Sequence, residues 1–172
     1  VGDKPDDPTA MKAPRPGEET AEVMITVKTY PNPSDSYGET VCVAGVRLDR
    51  REPEWIRLYP VKFRNDDFDN TFKKYDVIRV NGAYSHKSDN RPASFRPRQD
   101  KLVLVDHIGS KPNWQRRRLN LSDLIGATTM CELLGQNPIG GMATPSPSMG
   151  LIKPIDVVAT VGNGDPWTAR TG

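Results

Sequence analysis

The sequence predicts a mainly β domain, a small barrel-like or strongly curled antiparallel sheet with one or two short helices near the C-terminal third. Three observations carry that expectation. β-Branched and aromatic residues recur in short runs, and Pro, Gly, Asn or Asp clusters separate the runs. The chain holds 14 Gly and 16 Pro against a hydrophobic content of only 35%, which favours short strands joined by many turns. A length of 172 residues suits one domain with a core of its own.

Residues 1–21 are rich in Pro, Asp and Glu, with almost nothing apolar to bury, and read as a disordered leader. Met11 offers an alternative start within it. The globular domain is expected over 22–161 and a flexible tail over 162–172. EVMITVKT (22–29) is the first strand, closed by the turn-forming run Tyr30-Pro31-Asn32-Pro33-Ser34. GETVCVAGVRL (38–48) is the second, with Gly45 marking a bulge or a close backbone approach. EWIRLY (54–59) is the third, closed by Tyr59-Pro60. YDVIRVNGAY (75–84) and KLVLVDH (101–107) follow, the latter apolar on both faces and therefore central. Thr129 and Glu132 have capping-box spacing ahead of Gly135, which predicts a short helix, and a weaker helical stretch covers Leu119–Ile125. LIKPIDVVATV (151–161) reads as a last strand returning to the sheet.

Charge is distributed unevenly along this chain of net charge +2. Residues 1–22 carry three basic and six acidic side chains, whereas residues 28–118 carry nineteen basic and twelve acidic. The positive charge belongs to the middle of the domain. Cys42 and Cys131 form no CxxC pair, so no zinc knuckle or dithiol motif is signalled. No secretory signal and no membrane-spanning run is visible, which makes a reduced, cytoplasmic protein the default expectation.

Three segments could meet a polyanion. Alternation on the third strand puts Trp55, Arg57 and Tyr59 on one face and Ile56 and Leu58 in the core. An aromatic–guanidinium–aromatic row supplies flat surfaces for bases and a cation for phosphate, and Lys62 and Arg64 extend it. The competing structural reading covers this face and pairs Arg57 with Glu54 or Asp49. The loop RPASFRPR places Arg91, Arg96 and Arg98 around Phe95, which either stacks on a ligand or plugs into the core. Arg116, Arg117 and Arg118 are consecutive and so cannot share one face; they spread charge, either contacting phosphates non-specifically or standing solvated beside a Trp114 that belongs to the core.

Catalytic chemistry has less support. His86 and His107 lack a Cys or His at ligand spacing, so no metal or other cofactor is expected. Asp66, Asp67 and Asp69 lack the glycine and glutamate of a calcium loop and read as a surface turn. No GxSxG, P-loop or GxGxxG is present, and Cys42, between Val41 and Val43, reads as a small core hydrophobe.

KTYPNPSDSYGETVCVAG (28–45), EWIRLYPVKFR (54–64), FKKYDVIRV (72–80), RPASFRP (91–97), NWQRRR (113–118) and SMGLIKPIDVV (148–158) together resemble a family of uncharacterised bacterial and phage proteins. That resemblance implies a shared scaffold across most of 28–158 and lends no activity and no catalytic residue. The function expected from the residues is a nucleic-acid-binding accessory domain using a basic, aromatic-bearing surface. A protein–protein interaction module of a phage or bacterial complex is the second reading. An enzyme acting on a nucleotide, with Asp89 or Asp106 near the basic loop, is the third.

Overall fold

The computed structural model describes residues 11–29, 32–34, 38–62, 72–84, 89, 91–136, 146–162 and 164. Six strands run in chain order: β1 (Glu19–Lys28), β2 (Asn32–Ser34), β3 (Gly38–Arg47), β4 (Glu54–Lys62), β5 (Asp76–Tyr84) and β6 (Ser94–His107). Two short helices follow, α1 (Gln115–Leu121) and α2 (Met130–Gln136), with a 3-10 turn at Ser122–Leu124 between them.

Period-two alternation builds the core. Ala21, Val23 and Ile25 of β1, Val41 and Val43 of β3, Ile56 and Leu58 of β4, Ile78 and Val80 of β5 and Phe95 of β6 all point inward, joined by Val61 and Phe72. Strand β1 closes the wall because it has two partners. Its residues 19–24 pair with β5 and its residues 23–28 with β3, both antiparallel. Gly45 sits where β1 crosses β3. A Cβ there would run into the Met24 carbonyl and the Val23 side chain, so of the bulge or close approach expected at Gly45 the close approach is found, and the register shift falls on β1 between Ile25 and Val27. The five long strands therefore form a closed barrel in the order β1-β3-β4-β6-β5-β1, and β2 adds to the outer edge of β3. Every contact is antiparallel except β4 with β6, which pair in parallel through Arg57–Ser94 and Leu58–Phe95. That connectivity, with its one parallel contact, is that of the five-stranded Greek-key barrel known as the OB-fold.

One end of the barrel is closed by Arg47, 1% exposed. Its guanidinium donates to Asp49 twice (3.1 and 2.6 Å), to Glu19 (2.6 Å), to the Thr20 carbonyl (3.2 Å) and to the Tyr84 hydroxyl (3.3 Å). Burial opposes its charge, but the hydrogen bonds it donates to Asp49, Tyr84 and Glu19 and the Asp49 charge outweigh it and raise its pKa above the usual arginine value. Burial likewise works against the Asp49 carboxylate, yet its bonds to Arg47 and to the Glu22 amide hold its pKa below the usual range.

A second apolar cluster lies on the outside of the wall. Met24, Val46, Val77 and Ile108 are buried there, and Leu48, Trp55, Tyr75, Leu121 and Leu124 pack over them. Thus α1 and the turn after it cover one stretch of the barrel exterior.

Several elements differ from the sequence reading. β4 continues through Pro60 to Lys62, because a bulge opposite Cys42 leaves the proline where no ladder donor is required. β6 begins at Ser94, inside the expected arginine loop. The run 151–161 does not enter the sheet: its pairing is the single bridge Ile125–Leu151, and Ile155, Val157, Val158 and Val161 are 98%, 76%, 87% and 104% exposed. The barrel is complete without it. At the other end, β1 starts at Glu19, and Lys12 and Ala13 offer carbonyls to Asn81 (2.6 Å) and Arg98 (3.3 Å). The capping box forms as expected, with Thr129 N–H donating to Glu132 and Glu132 N–H to the Thr129 hydroxyl.

Candidate functional site

The exterior of β3 and β4 beyond the second cluster carries the densest set of expected site residues. With Ile56 and Leu58 inside, Arg57 and Tyr59 must face outward, and so must Cys42 between the buried Val41 and Val43. Cys42 is therefore not the core thiol read from its neighbours: the alternation that buries the two valines turns it out. Arg57 Nε donates to its sulfur (2.8 Å). The Arg57 guanidinium lies 5.8 Å from the Tyr59 ring centre, and Tyr59 is 43% exposed.

Asp89 organises the cations on this face. Arg91 donates to it in bidentate fashion (2.7 and 2.6 Å), Ser94 through its hydroxyl (2.7 Å) and Arg57 at 3.4 Å. Arg57 thus pairs with neither Glu54 nor Asp49. The sequence reading named Asp89 only as a carboxylate near the loop. Its spacing to Arg91 and Ser94, two and five residues on, was the available signal. One carboxylate between two guanidinium groups leaves a net positive charge and fixes both in place.

The remaining residues divide. Trp55 is half-buried and packs on the second cluster beside Val46, its partner on β3, so the expected row of three shortens to Arg57 and Tyr59. Phe95 is 1% exposed, its ring edge-on to Tyr84 at 5.3 Å, and so it anchors the core and cannot stack on a ligand. The parallel pairing with Leu58 is what turns it inward. Arg96 is exposed on β6. Arg98 is drawn to Glu18 at 3.1 Å and to the Ala13 carbonyl. Lys62 ends β4 opposite Thr40, and Arg64 lies outside the described residues, as do His86 and the Asp66–Asp69 cluster.

Arg116, Arg117 and Arg118 stand elsewhere. Arg116 pairs with Asp106 (2.6 Å), which lowers the Asp106 pKa below its ordinary value. Asp106 is twelve residues beyond Ser94 on β6, roughly 40 Å of strand contour at ~3.3 Å per residue. Arg117 lies 3.6 Å over the Tyr75 ring and donates to the Ile108 carbonyl (2.8 Å). Trp114, read as a core residue, is 58% exposed instead. The cations expected to converge therefore form separate groups at the two ends of β6.

His107 Nδ1 lies 2.6 Å from the buried Asp76, which also accepts the Lys73 amide. Among the described residues, neither side chain is hydrogen-bonded to a Ser, Thr or Cys side chain. Among the described residues, no three His, Cys, Asp or Glu side chains cluster as a metal site, and no helix is long and apolar enough to cross a membrane.

No curated protein and no solved structure matches the chain. A family does match, over residues 19–123, the span that runs from β1 through the barrel to the turn after α1. The chain belongs to the family described as a domain of unknown function (DUF8758).

Proposed function

We propose that the barrel binds single-stranded nucleic acid across the exterior of β3 and β4. The observation that carries this reading is Arg57 beside the half-exposed Tyr59 ring on the outer face of that strand pair, with Arg91 fixed next to it through Asp89. In barrels of this connectivity the corresponding face binds oligonucleotides, and Arg57, Tyr59 and Arg91 add the chemistry to that likeness of architecture. Tyr59 offers a stacking surface for an unpaired base, and Arg57 and Arg91 are placed for the phosphates on either side. The positive surplus of residues 28–118 favours approach of a polyanion.

The test is fluorescence anisotropy with labelled oligo-dT and oligo-U at two salt concentrations. Binding should weaken as salt rises. Tyr59→Ala should cost about 1–3 kcal/mol of binding, the usual contribution of one stacked base. Arg57→Ala should weaken binding and flatten the salt dependence. Absence of binding at low salt, or wild-type affinity in both variants with the fold intact, overturns the reading.

One observation favours a second reading, a docking module within a phage or bacterial protein complex. The run bearing Ile155, Val157, Val158 and Val161 exposes β-branched side chains that neighbouring protein would cover. A stable partner that survives nuclease treatment and is lost on Val158→Asp substitution would support it.

A further inference from the structure

We infer that the hollow beside α1, walled by Tyr75, Trp114, Arg117, Arg118, Leu121 and Ile125, is a second binding site, taking a planar heteroaromatic ring that carries a phosphate, a ligand of the mononucleotide class. It is separate from the β3–β4 face and does not rest on the reading proposed for that face.

Three independent features meet there. The first is shape. The hollow holds about 270 Å³, and it shares Arg118 and Ile125 with a neighbouring one of about 680 Å³ that also reaches Lys153. Together they fall in the size range of small-molecule sites, roughly 300–1,000 Å³.

The second is backbone strain. Tyr75 (φ 68°) and Trp114 (φ 55°) lie in the left-handed region, which large side chains avoid, and Asn113 (φ 46°), of a type that tolerates it, lies there as well. All three border these hollows. Hydrogen bonds hold the strained residues in place: Tyr75 N–H to the Ile25 carbonyl and Trp114 N–H to the Ser110 carbonyl, both at 2.6 Å. The result is a tryptophan ring left 58% exposed over an apolar floor of Leu121 and Ile125, where burial would otherwise be favoured.

The third is charge. Arg117 is committed to the Tyr75 ring and the Ile108 carbonyl, and Arg116 to Asp106. Among the described residues, the Arg118 guanidinium has no hydrogen bond or ion pair, and it stands in the wall common to both hollows. Lys153 is exposed across the larger one. A flat ring seated between Trp114 and the apolar floor would carry its phosphate toward Arg118 and Lys153, where two cations suit a doubly charged group.

The experiment is titration calorimetry of the full chain with AMP, adenosine and inorganic phosphate. AMP should bind more tightly than either fragment. Arg118→Ala, on an exposed helix position, should weaken AMP at least tenfold while leaving adenosine unchanged. Trp114→Gly relieves the strained φ, so it should weaken both AMP and adenosine without lowering the melting temperature. Arg57→Ala should leave AMP binding as it is. No AMP binding at millimolar concentration, phosphate binding as tightly as AMP, or wild-type AMP affinity in Arg118→Ala would each overturn the proposal. Loss of AMP binding in Arg57→Ala would also overturn it, by moving the ligand to the other face, and would leave the β3–β4 reading standing.

Discussion

Replacing Arg47 by Leu should unlock the end of the barrel. The substitution leaves a shorter apolar side chain and takes the guanidinium away from Asp49, Glu19, the Tyr84 hydroxyl and the Thr20 carbonyl, while Asp49 keeps the Glu22 amide, Glu19 keeps Arg50 and Tyr84 keeps Glu54. Removing one partner of a buried ion pair costs about 3–5 kcal/mol. Here Asp49 and Glu19 keep 29% and 36% of their side-chain surface in water, so solvent recovers part of that and the expected loss is about 2–3 kcal/mol. For a chain of this length that corresponds to a fall in Tm of about 6–9 °C. The variant should also respond differently to acid. Asp49 has a lowered pKa in the folded state, so its contribution is complete above its unfolded value near ~3.9 and disappears as pH falls through the lowered one. Without Arg47 the larger part of that depression is lost and only backbone amides, that of Glu22 first, still lower the pKa, so the stability curve should flatten below about pH 4. Urea unfolding followed by circular dichroism from pH 3 to pH 7 measures both effects. A loss under about 1 kcal/mol, or an acid limb identical to wild type, would show that the network does not hold the barrel as argued.

Three further outcomes follow from the same packing. Gly45→Ala should destabilise by about 2–3 kcal/mol in chemical denaturation, since its methyl meets the Met24 backbone carbonyl of β1 as well as the buried Val23 side chain. Phe95→Ala should cost about 3–5 kcal/mol, because the ring is fully buried against Tyr84, and a loss near zero would return Phe95 to the surface. Truncation after Lys153 should change unfolding free energy by less than about 0.5 kcal/mol, and limited proteolysis should cut first within 154–162, where Ile155 to Val161 bury almost nothing.

Much of the barrel was legible because alternation and turn residues are local signals. Ile56 and Leu58 could be assigned to the core from their own strand, and Gly45 to a close approach from its position among β-branched neighbours. The capping box at Thr129 was equally readable, since its partners are three residues apart. The site was legible only where one strand sufficed. Arg57 and Tyr59 face outward as their spacing requires.

Tertiary structure decided the rest. Whether an outward face is open depends on what packs over it, and α1 with the following turn claimed the stretch that includes Trp55. Phe95 turned inward because a parallel contact with β4 converted part of an apparent loop into strand, a pairing that spans more than thirty residues of sequence. The arginines carry the same charge wherever they lie, so the sequence alone could count them but not group them. Arg57 and Arg91 meet at Asp89, while Arg116–Arg118 fall to the far end of β6, because the path of that long strand sets the distance between them. Composition and alternation determined a β-barrel with an outward arginine and tyrosine. Only the closure of β1 onto two neighbours determined which outward residues share a surface.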